Sequence, residues 1–400
     1  MKKVLVPSVR FKGFNEEWSE ERLEEIGQTY TGLSGKTKKD FGHGNSRYIT
    51  YLNIFNNPIA NLKGLDRIEK DCKQNSIKYG DIFVTTSSEI PEEVGMTSIW
   101  PFKDKENIYL NSFCFGIRLN NINNYYINFL AYNLRNNELR KDIVLLAQGI
   151  SRFNISNRRF MKLNILLPNI SEQQKIGKLL DQISNLISLE EIKLNKLKQL
   201  RETLLQKMFP EGNSKVPKIR FEGFQGEWKE EKIEETVNIL DNLRIPVKES
   251  LRSPGAYKYY GANGIQGKIN GYTHQGENIL IAEDGANDLN NYPLIFEKNK
   301  IWVNNHAHVV TSNNPNLLKN YFLYLSLKKV NFSDYILGTQ RYKLTLSNLK
   351  EVLFVITKNI SEQQKIGDFF SKIDSLLSLY QSKLNKLKQI KEALLQKMFV

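Results

Sequence analysis

Only two cysteines occur in the 400 residues, Cys72 and Cys114, and neither belongs to a Cys-x-x-Cys pair. That excludes a disulfide framework and a cysteine zinc site, and both thiols are read as reduced and incidental. Apolar runs stay short of the roughly 18 residues a membrane helix needs, and the mean hydropathy is -0.45. The opening MKKVLVPSVRFKGF has only a short apolar stretch before Pro7 and Arg10, so no secretory signal is expected and the protein is placed in the cytoplasm. Nucleotide motifs are missing too. There is no GxxxxGK[ST] loop for ATP, and the nearest approach to an NPP-aromatic motif, Asn56-Asn57-Pro58-Ile59, lacks the second proline and the ring. The chain is expected to bind rather than to catalyse.

Histidine is also scarce, with four in all. His306 and His308 alternate as they would on one face of a strand, a spacing metals use. Without cysteines or a carboxylate cluster nearby they are read as hydrogen-bonding groups, and no metal is expected. Asp284-Gly285-Ala286-Asn287-Asp288 is too short for a calcium loop and is read as a turn.

What the chain has in excess is positive charge. Lys and Arg number 57 against 43 Asp and Glu, giving +14 and a pI near 9.4. Such a surface suits a polyanion, most simply nucleic acid. With 40% apolar and 25% charged residues the composition is globular, sufficient for two or three domains.

The dominant pattern is an internal repeat. Ser171 to Phe209, SEQQKIGKLLDQISNLISLEEIKLNKLKQLRETLLQKMF, returns 190 residues later from Ser361 to Phe399, identical at 25 of 39 positions. Each copy reads as one long helix of about 55 Å at 1.5 Å per residue. Ser171 or Ser361 can serve as N-cap, with Gln174 or Gln364 closing a capping box. Ile176, Leu180, Ile183, Ile187, Leu194, Leu197 and Leu204, and their counterparts from Ile366 to Leu394, recur at alternating spacings of three and four, a coiled-coil seam. The two helices are expected to pair.

A second repeat precedes each helix. Val6-Pro7-Ser8-Val9-Arg10-Phe11-Lys12-Gly13-Phe14 with Glu17-Trp18 returns as Val216-Pro217-Lys218-Ile219-Arg220-Phe221-Glu222-Gly223-Phe224 with Glu227-Trp228. It reads as an extended strap anchored by large rings. Between strap and helix lie two dissimilar segments, about 21–168 and 231–358. The first has strand-like runs at Arg47–Leu52, Gly80–Thr86 and Phe113–Leu119 and helical spacing over Tyr125–Leu139. The second has runs at Gly276–Ile281, Lys300–Val303 and His308–Thr311 and a helix near Leu317–Leu327. Near their ends, Gln148-Gly149-Ile150-Ser151-Arg152-Phe153-Asn154-Ile155 answers Leu337-Gly338-Thr339-Gln340-Arg341-Tyr342-Lys343-Leu344. Each is either a loop that brings donors to a backbone or base edge or a tight turn entering a last strand.

This arrangement resembles, over the whole chain, the specificity subunit of type I restriction-modification systems. The resemblance rests on the doubled helix opening with SEQQKIG, on the strap VPxxRFxGFxxEW, and on Tyr79-Gly80-Asp81-Ile82-Phe83, Tyr260-Gly261-Ala262-Asn263-Gly264-Ile265-Gln266-Gly267, Asn305-His306-Ala307-His308 and Gly338-Thr339-Gln340. It implies an α+β fold: two target-recognition domains with mostly antiparallel curved sheets, separated by two long antiparallel coiled-coil helices in a pseudo-two-fold arrangement. The boundaries become 1–168, 169–209, 210–358 and 359–400. It further implies a chain that reads double-stranded DNA, performs no chemistry, and docks two modification subunits and, in the full complex, restriction subunits. S-adenosylmethionine, ATP and Mg then belong to those partners, whose assembly is an adenine-N6 DNA methyltransferase and ATP-dependent endonuclease. The first domain departs from the pattern, with Gln148-Gly149-Ile150-Ser151 where Gly-Thr-Gln is expected, so the role of Gln340 does not transfer to it.

For DNA the useful side chains pair with base edges or phosphates. The first domain offers Lys36, Lys38, Lys39, Ser151, Arg152 and Asn154. The second offers Tyr259, Asn263, Gln266, Asn305, His306, Gln340, Arg341 and Lys343. For the partner, near-identical helix faces present Gln173, Gln174, Lys193 and Lys196, and Gln363, Gln364, Lys383 and Lys386. A separation near 50 Å between readers would span roughly 15 base pairs, so the expected target is two different short half-sites with an unread gap. A standalone DNA-binding scaffold or regulator without methyltransferase partners is the alternative, and an enzyme with drifted motifs is the third reading.

Overall fold

A computed structural model describes residues 5–103, 107–338 and 342–400. The chain divides into two compact units, Met1–Glu191 with Lys383–Val400, and Ile192–Ser382. The long helices run Ile170–Lys207 and Ile360–Lys397. Each unit therefore contains the start of one long helix and the end of the other.

Both units carry the same three sheets. In the first, a four-stranded antiparallel sheet has the order Gly27–Thr31, Cys114–Leu119, Ile82–Thr85, Thr97–Ile99, and a three-stranded sheet has the order Leu65–Ile68, Phe41–Ile49, Ile108–Leu110. A two-stranded ribbon joins Ser19–Arg22 to Asn164–Leu167. In the second unit the four-stranded sheet runs Val237–Ile239, Ala307–Ser312, Asn278–Ala282, Leu294–Glu297. The three-stranded sheet runs Gly264–Ile269, Tyr257–Gly261, Ile301–Val303, and the ribbon pairs Lys229–Lys232 with Leu353–Ile356. One strand pair in each three-stranded sheet is parallel, Phe41–Ile49 with Ile108–Leu110 and Tyr257–Gly261 with Ile301–Val303.

The central strands are buried at every position, which explains why they read as continuous apolar runs. Side chains on a strand point alternately to its two faces. Ile82 and Val84 accordingly enter one core while Phe83 enters another, and Ile279 and Ile281 part from Leu280 in the same way. The expected strand Arg47–Leu52 is cut short at Ile49. Thr50 caps a helix over Tyr51–Asn56 by accepting the N–H of Asn53, and the backbone coils from there.

The straps are anchored by rings, as their sequence suggests. In the first unit Trp18, Phe129 and Phe399 form a triad with centroids 5.4–6.3 Å apart. Trp228, Phe322 and Phe209 repeat it in the second at 5.3–5.5 Å. The aromatic end of each LLQKMF run is thus a core residue. Within the first unit Lys383 reaches Glu190 at 2.8 Å and Lys388 reaches Glu191 at 2.6 Å, and in the second Arg201 grips Asp374. The low numbers of one helix thus meet the high numbers of the other, so the pair is antiparallel.

The helix starts correct the capping assignment. Asn169 and Asn359, rather than Ser171 and Ser361, cap them: Asn169 accepts from the N–H of Glu172, and Asn359 from those of Ser361 and Glu362. An Asn side chain placed one residue before the helix reaches these unsatisfied donors directly. The serines fall inside the first turn and face solvent.

Candidate nucleic-acid interface

In the second unit several loops converge at one end of the sheets. The hairpin turn after Gly261 places Asn263, whose amide donates to the Gly285 carbonyl at 2.7 Å while its oxygen accepts the N–H of Asn287. Gln266 on the same hairpin accepts from Asn304 at 3.4 Å. The turn through Asn305 and His306 joins them, because the Glu283 N–H donates to the His306 carbonyl and the His306 ring meets Asp284 at 2.6 Å. Lys343 completes the group. Its backbone exchanges two 2.9 Å hydrogen bonds with Leu337, closing the loop between them, and its ammonium lies 3.3 Å from Glu283. Asn263, Gln266, Asn305 and Lys343 are exposed. Gln340 and Arg341 lie outside the described residues.

Tyr259 does not join that surface. It is 1% exposed, and its hydroxyl both accepts from the N–H and donates to the carbonyl of Val247. It lies in a stretch, Tyr259 to Gly261, that is buried on both faces of the strand, so we read it as scaffold.

The first unit closes its loop identically. Gln148 and Asn154 exchange hydrogen bonds of 2.9 and 2.8 Å, as Leu337 and Lys343 do. Gly149 and Gly338, each just inside its loop, have φ of +136° and +99°, and a Cβ on Gly149 would stand 2.1 Å from the Arg152 carbonyl. Both loops return to the sheet by the same bond, Ile155 N–H to Thr86 and Leu344 N–H to Glu283. Thr86 in turn donates to the Phe113 carbonyl as Glu283 does to that of His306. Phe113 thus stands where His306 stands, and Ser87 where Asp284 stands. Ser151, Arg152 and Asn154 are exposed on this loop, and Arg152 donates to Ser87 at 3.3 Å and lies over the Phe113 ring. Lys36, Lys38 and Lys39 belong elsewhere: Lys36 is held by Asp71 at 2.8 Å, the other two are exposed on a short turn, and no described contact ties them to Arg152. Phe113 was not among the sequence candidates. The available signal was its position just before the Cys114 strand, matching that of His306 before the Ala307 strand.

Asp241, Glu283 and His308 bring their ligand atoms within 4.8 Å of one another. Arg244 already supplies positive charge there, 2.6 Å from Glu283 and 3.1 Å from Asp241. His308 is buried, with one ring nitrogen 2.6 Å from Asp241 and the other 2.8 Å from the Leu344 carbonyl. Both ring nitrogens thus lie within hydrogen-bond distance of acceptors. Burial alone would push the Asp241 carboxyl up, but the hydrogen bond and charge of His308, the Val309 N–H and Arg244 outweigh it and hold it below its ordinary value. The cluster anchors the base of the loop at Leu344. His306 precedes the strand while His308 lies in it, so the two rings do not form the metal-spaced pair their sequence suggests.

Among the partner candidates, Gln174, Lys193, Lys196, Gln364, Lys383 and Lys386 are exposed. Gln173 and Gln363 are 2% and 0% exposed. Gln173 accepts the Tyr126 N–H and donates to Pro168, and Gln363 accepts the Lys319 N–H and donates to Leu317 and Thr357. Both are consumed in seating a neighbouring helix, which leaves them no face for a partner. Large apolar side chains are exposed beside the lysines: Leu186, Leu189 and Ile390 in the first unit, Ile192, Leu200, Leu376 and Leu379 in the second.

Comparison with known proteins identifies this architecture. The family model described as "Type I restriction modification DNA specificity domain" matches residues 15–199 and again 225–389. A protein named as a type I restriction enzyme specificity subunit in Haemophilus influenzae is 43% identical over 157 residues, 39% of this chain and 40% of that one. One named as the MjaX specificity subunit in Methanocaldococcus jannaschii is 27% identical over 206 residues, 49% of this chain and 46% of that one. The chain thus spans less than half the length of either relative. The crystal structure of a type I restriction-modification S subunit from M. genitalium matches with a TM-score of 0.70 at 18% identity, covering 99% of both chains, which shows the shared fold. With two matched copies over most of its length, this chain belongs to the type I restriction-modification DNA specificity family.

Proposed function

We propose that the chain is the sequence-reading subunit of a type I restriction-modification complex, reading a bipartite, asymmetric duplex site with an unread spacer. The observation that carries this reading is the pair of closed loops, 148–154 and 337–343, built on the same backbone bonds but bearing different side chains. A common frame with different readers suits two different half-sites, because base edges are distinguished by side-chain donors, acceptors and apolar groups. The charge of +14 suits the phosphate backbone. The exposed lysines and leucines of the long helices suit two modification subunits, which would supply the adenine methyltransferase chemistry and its S-adenosylmethionine. ATP and Mg would belong to restriction subunits, and the assembly would work in the cytoplasm.

Mapping methylated adenines in the host genome with and without this gene tests the reading. A two-part motif that vanishes with the gene is expected. A methylation pattern unchanged by its loss would overturn it.

A further inference from the structure

At the end of the first unit, the place that the second fills with polar groups is apolar. Counting from the parallel pairs Ile49–Leu110 and Tyr260–Val303, Leu52 and Asn263 each lie three residues on, Leu52 in the helix that Thr50 caps and Asn263 in the hairpin turn. Phe113 replaces His306 and Ser87 replaces Asp284, as the shared backbone bonds show. The result is an open cup lined by Leu52, Phe55, Ile90 and Phe113 with Arg152 at its rim. Leu52 is 66% exposed and Phe113 55%. Residues this large and this exposed, side by side at a loop cluster, mark a contact surface more often than a defect of packing.

Two carboxylates, Glu89 and Glu93, also border the cup, and Glu93 is engaged by the Ser88 hydroxyl at 3.3 Å. Negative charge there disfavours phosphate on that side. It favours base edges, whose amino groups donate to carboxylates, and the one apolar group on a major-groove edge is the C5-methyl of thymine. Resting on the DNA-reading assignment above, we infer that the cup recognises the methyl group of thymine in the half-site of the first unit, while Arg152 on its rim contacts a neighbouring base or phosphate. Leu52 and Phe113 become specificity-determining residues.

Duplexes selected by the 400-residue chain from a randomised pool, together with the same duplexes carrying deoxyuridine for thymine, test this directly. Deoxyuridine keeps the base pairing and removes only the methyl. The half-site of the first unit, identified as the half whose preference shifts in Arg152→Ala, is expected to contain thymine. Its deoxyuridine form should bind about fourfold more weakly for each methyl lost, in line with burial of one carbon. Phe113→Ala and Leu52→Ala, both at exposed positions, should bind the two forms alike. Equal binding of both forms by the unaltered chain, or a selected half-site without thymine, would overturn the inference while leaving the DNA-reading assignment intact. A pool yielding no preferred duplex would overturn both.

Discussion

Arg10 donates two hydrogen bonds of 2.7 Å to the carboxylate of Glu172. Arg220 does the same to Glu362 at 2.6 and 2.8 Å. Both carboxylates are fully buried. The arginine comes from the strap and the glutamate from the first turn of a long helix, which accounts for both repeated motifs at once: RF in the strap requires SEQQ in the helix. The strap lies close because its backbone is also tied down, Val9 to Lys397 and Ile219 to Lys207 at 2.9 Å. Removing one charge leaves the other buried and unpaired, so Glu172→Leu and Glu362→Leu should each cost about 3 kcal/mol or more. Urea denaturation measures the loss.

The glycines of SEQQKIG should not be equivalent. A Cβ on Gly177 would stand 2.5 Å from the Tyr126 ring and 2.9 Å from the Phe129 nitrogen, whereas on Gly367 the nearest atoms lie at 3.8 and 3.9 Å. Gly177→Ala should therefore destabilise by about 1–3 kcal/mol through overpacking. Gly367→Ala should be neutral or stabilise by up to about 1 kcal/mol, because alanine favours the helix. Thermal unfolding of the two variants gives the comparison.

Acid should weaken the anchor beneath the second loop. The Asp241 carboxyl is held below its ordinary 3.8 in the folded chain. Its contribution is therefore complete above pH 3.8 and is lost as the pH falls through the lowered native value. Asp241→Asn should cost about 3 kcal/mol at pH 7, by taking from buried His308 the carboxylate 2.6 Å away and leaving Arg244 with Glu283 alone, and should flatten the acid limb of the stability profile. Asp181 in the first unit has the opposite sign. Burial pushes it up despite the Asn128 hydrogen bond and the charge of Lys391, so its penalty at neutral pH is relieved as the pH falls through that raised value. Stability of Asp241→Asn and Asp181→Asn from pH 7 downward separates the two, the first losing and the second gaining relative to the unaltered chain at neutral pH.

Arg135 should matter to the reading surface without touching it. Its guanidinium donates to the carbonyls of Thr97, Ile54, Phe55 and Asn57, holding the end of the helix that carries Tyr51 and Leu52. Arg135→Met would strand those carbonyls and is expected to cost about 2–3 kcal/mol. Lys is expected to recover only part, because an ammonium cannot span four acceptors as the planar fork does. Unfolding of both variants checks the order.

The doubled helix, its antiparallel partnership and the ring-anchored straps were legible because they are written as repeats with helical or aromatic spacing. The strand cores were legible as apolar runs. The caps differ from the sequence assignment because Asn169 and Asn359 lie two residues before Ser171 and Ser361, where the sequence reading begins the repeat. Tyr259 differs from its sequence reading because both faces of the strand are covered from Tyr259 to Gly261, which the tyrosine pair itself does not reveal. Gln173 and Gln363 looked like surface amides, and only the neighbouring helix starts at Tyr126 and Lys319 show what they bind. Leu52 had no local signal, since its exposure follows from where Thr50 caps a helix, and the signal for Phe113 was positional only, its place just before the Cys114 strand, where the Asn111–Phe113 turn meets Thr86. Lys36 to Lys39 stand out in the sequence by charge alone, whereas the loop bearing Arg152 is defined by its backbone bonds.

Adenine-methylation motifs from a host carrying the unaltered chain, Arg152→Ala or Lys343→Ala provide the most direct test of the account. Two loops that read independently predict that the first substitution relaxes or changes one half of a two-part motif and the second changes only the other half. Both substitutions altering the same half, or neither altering the motif while the proteins remain folded and methylation persists, would contradict it.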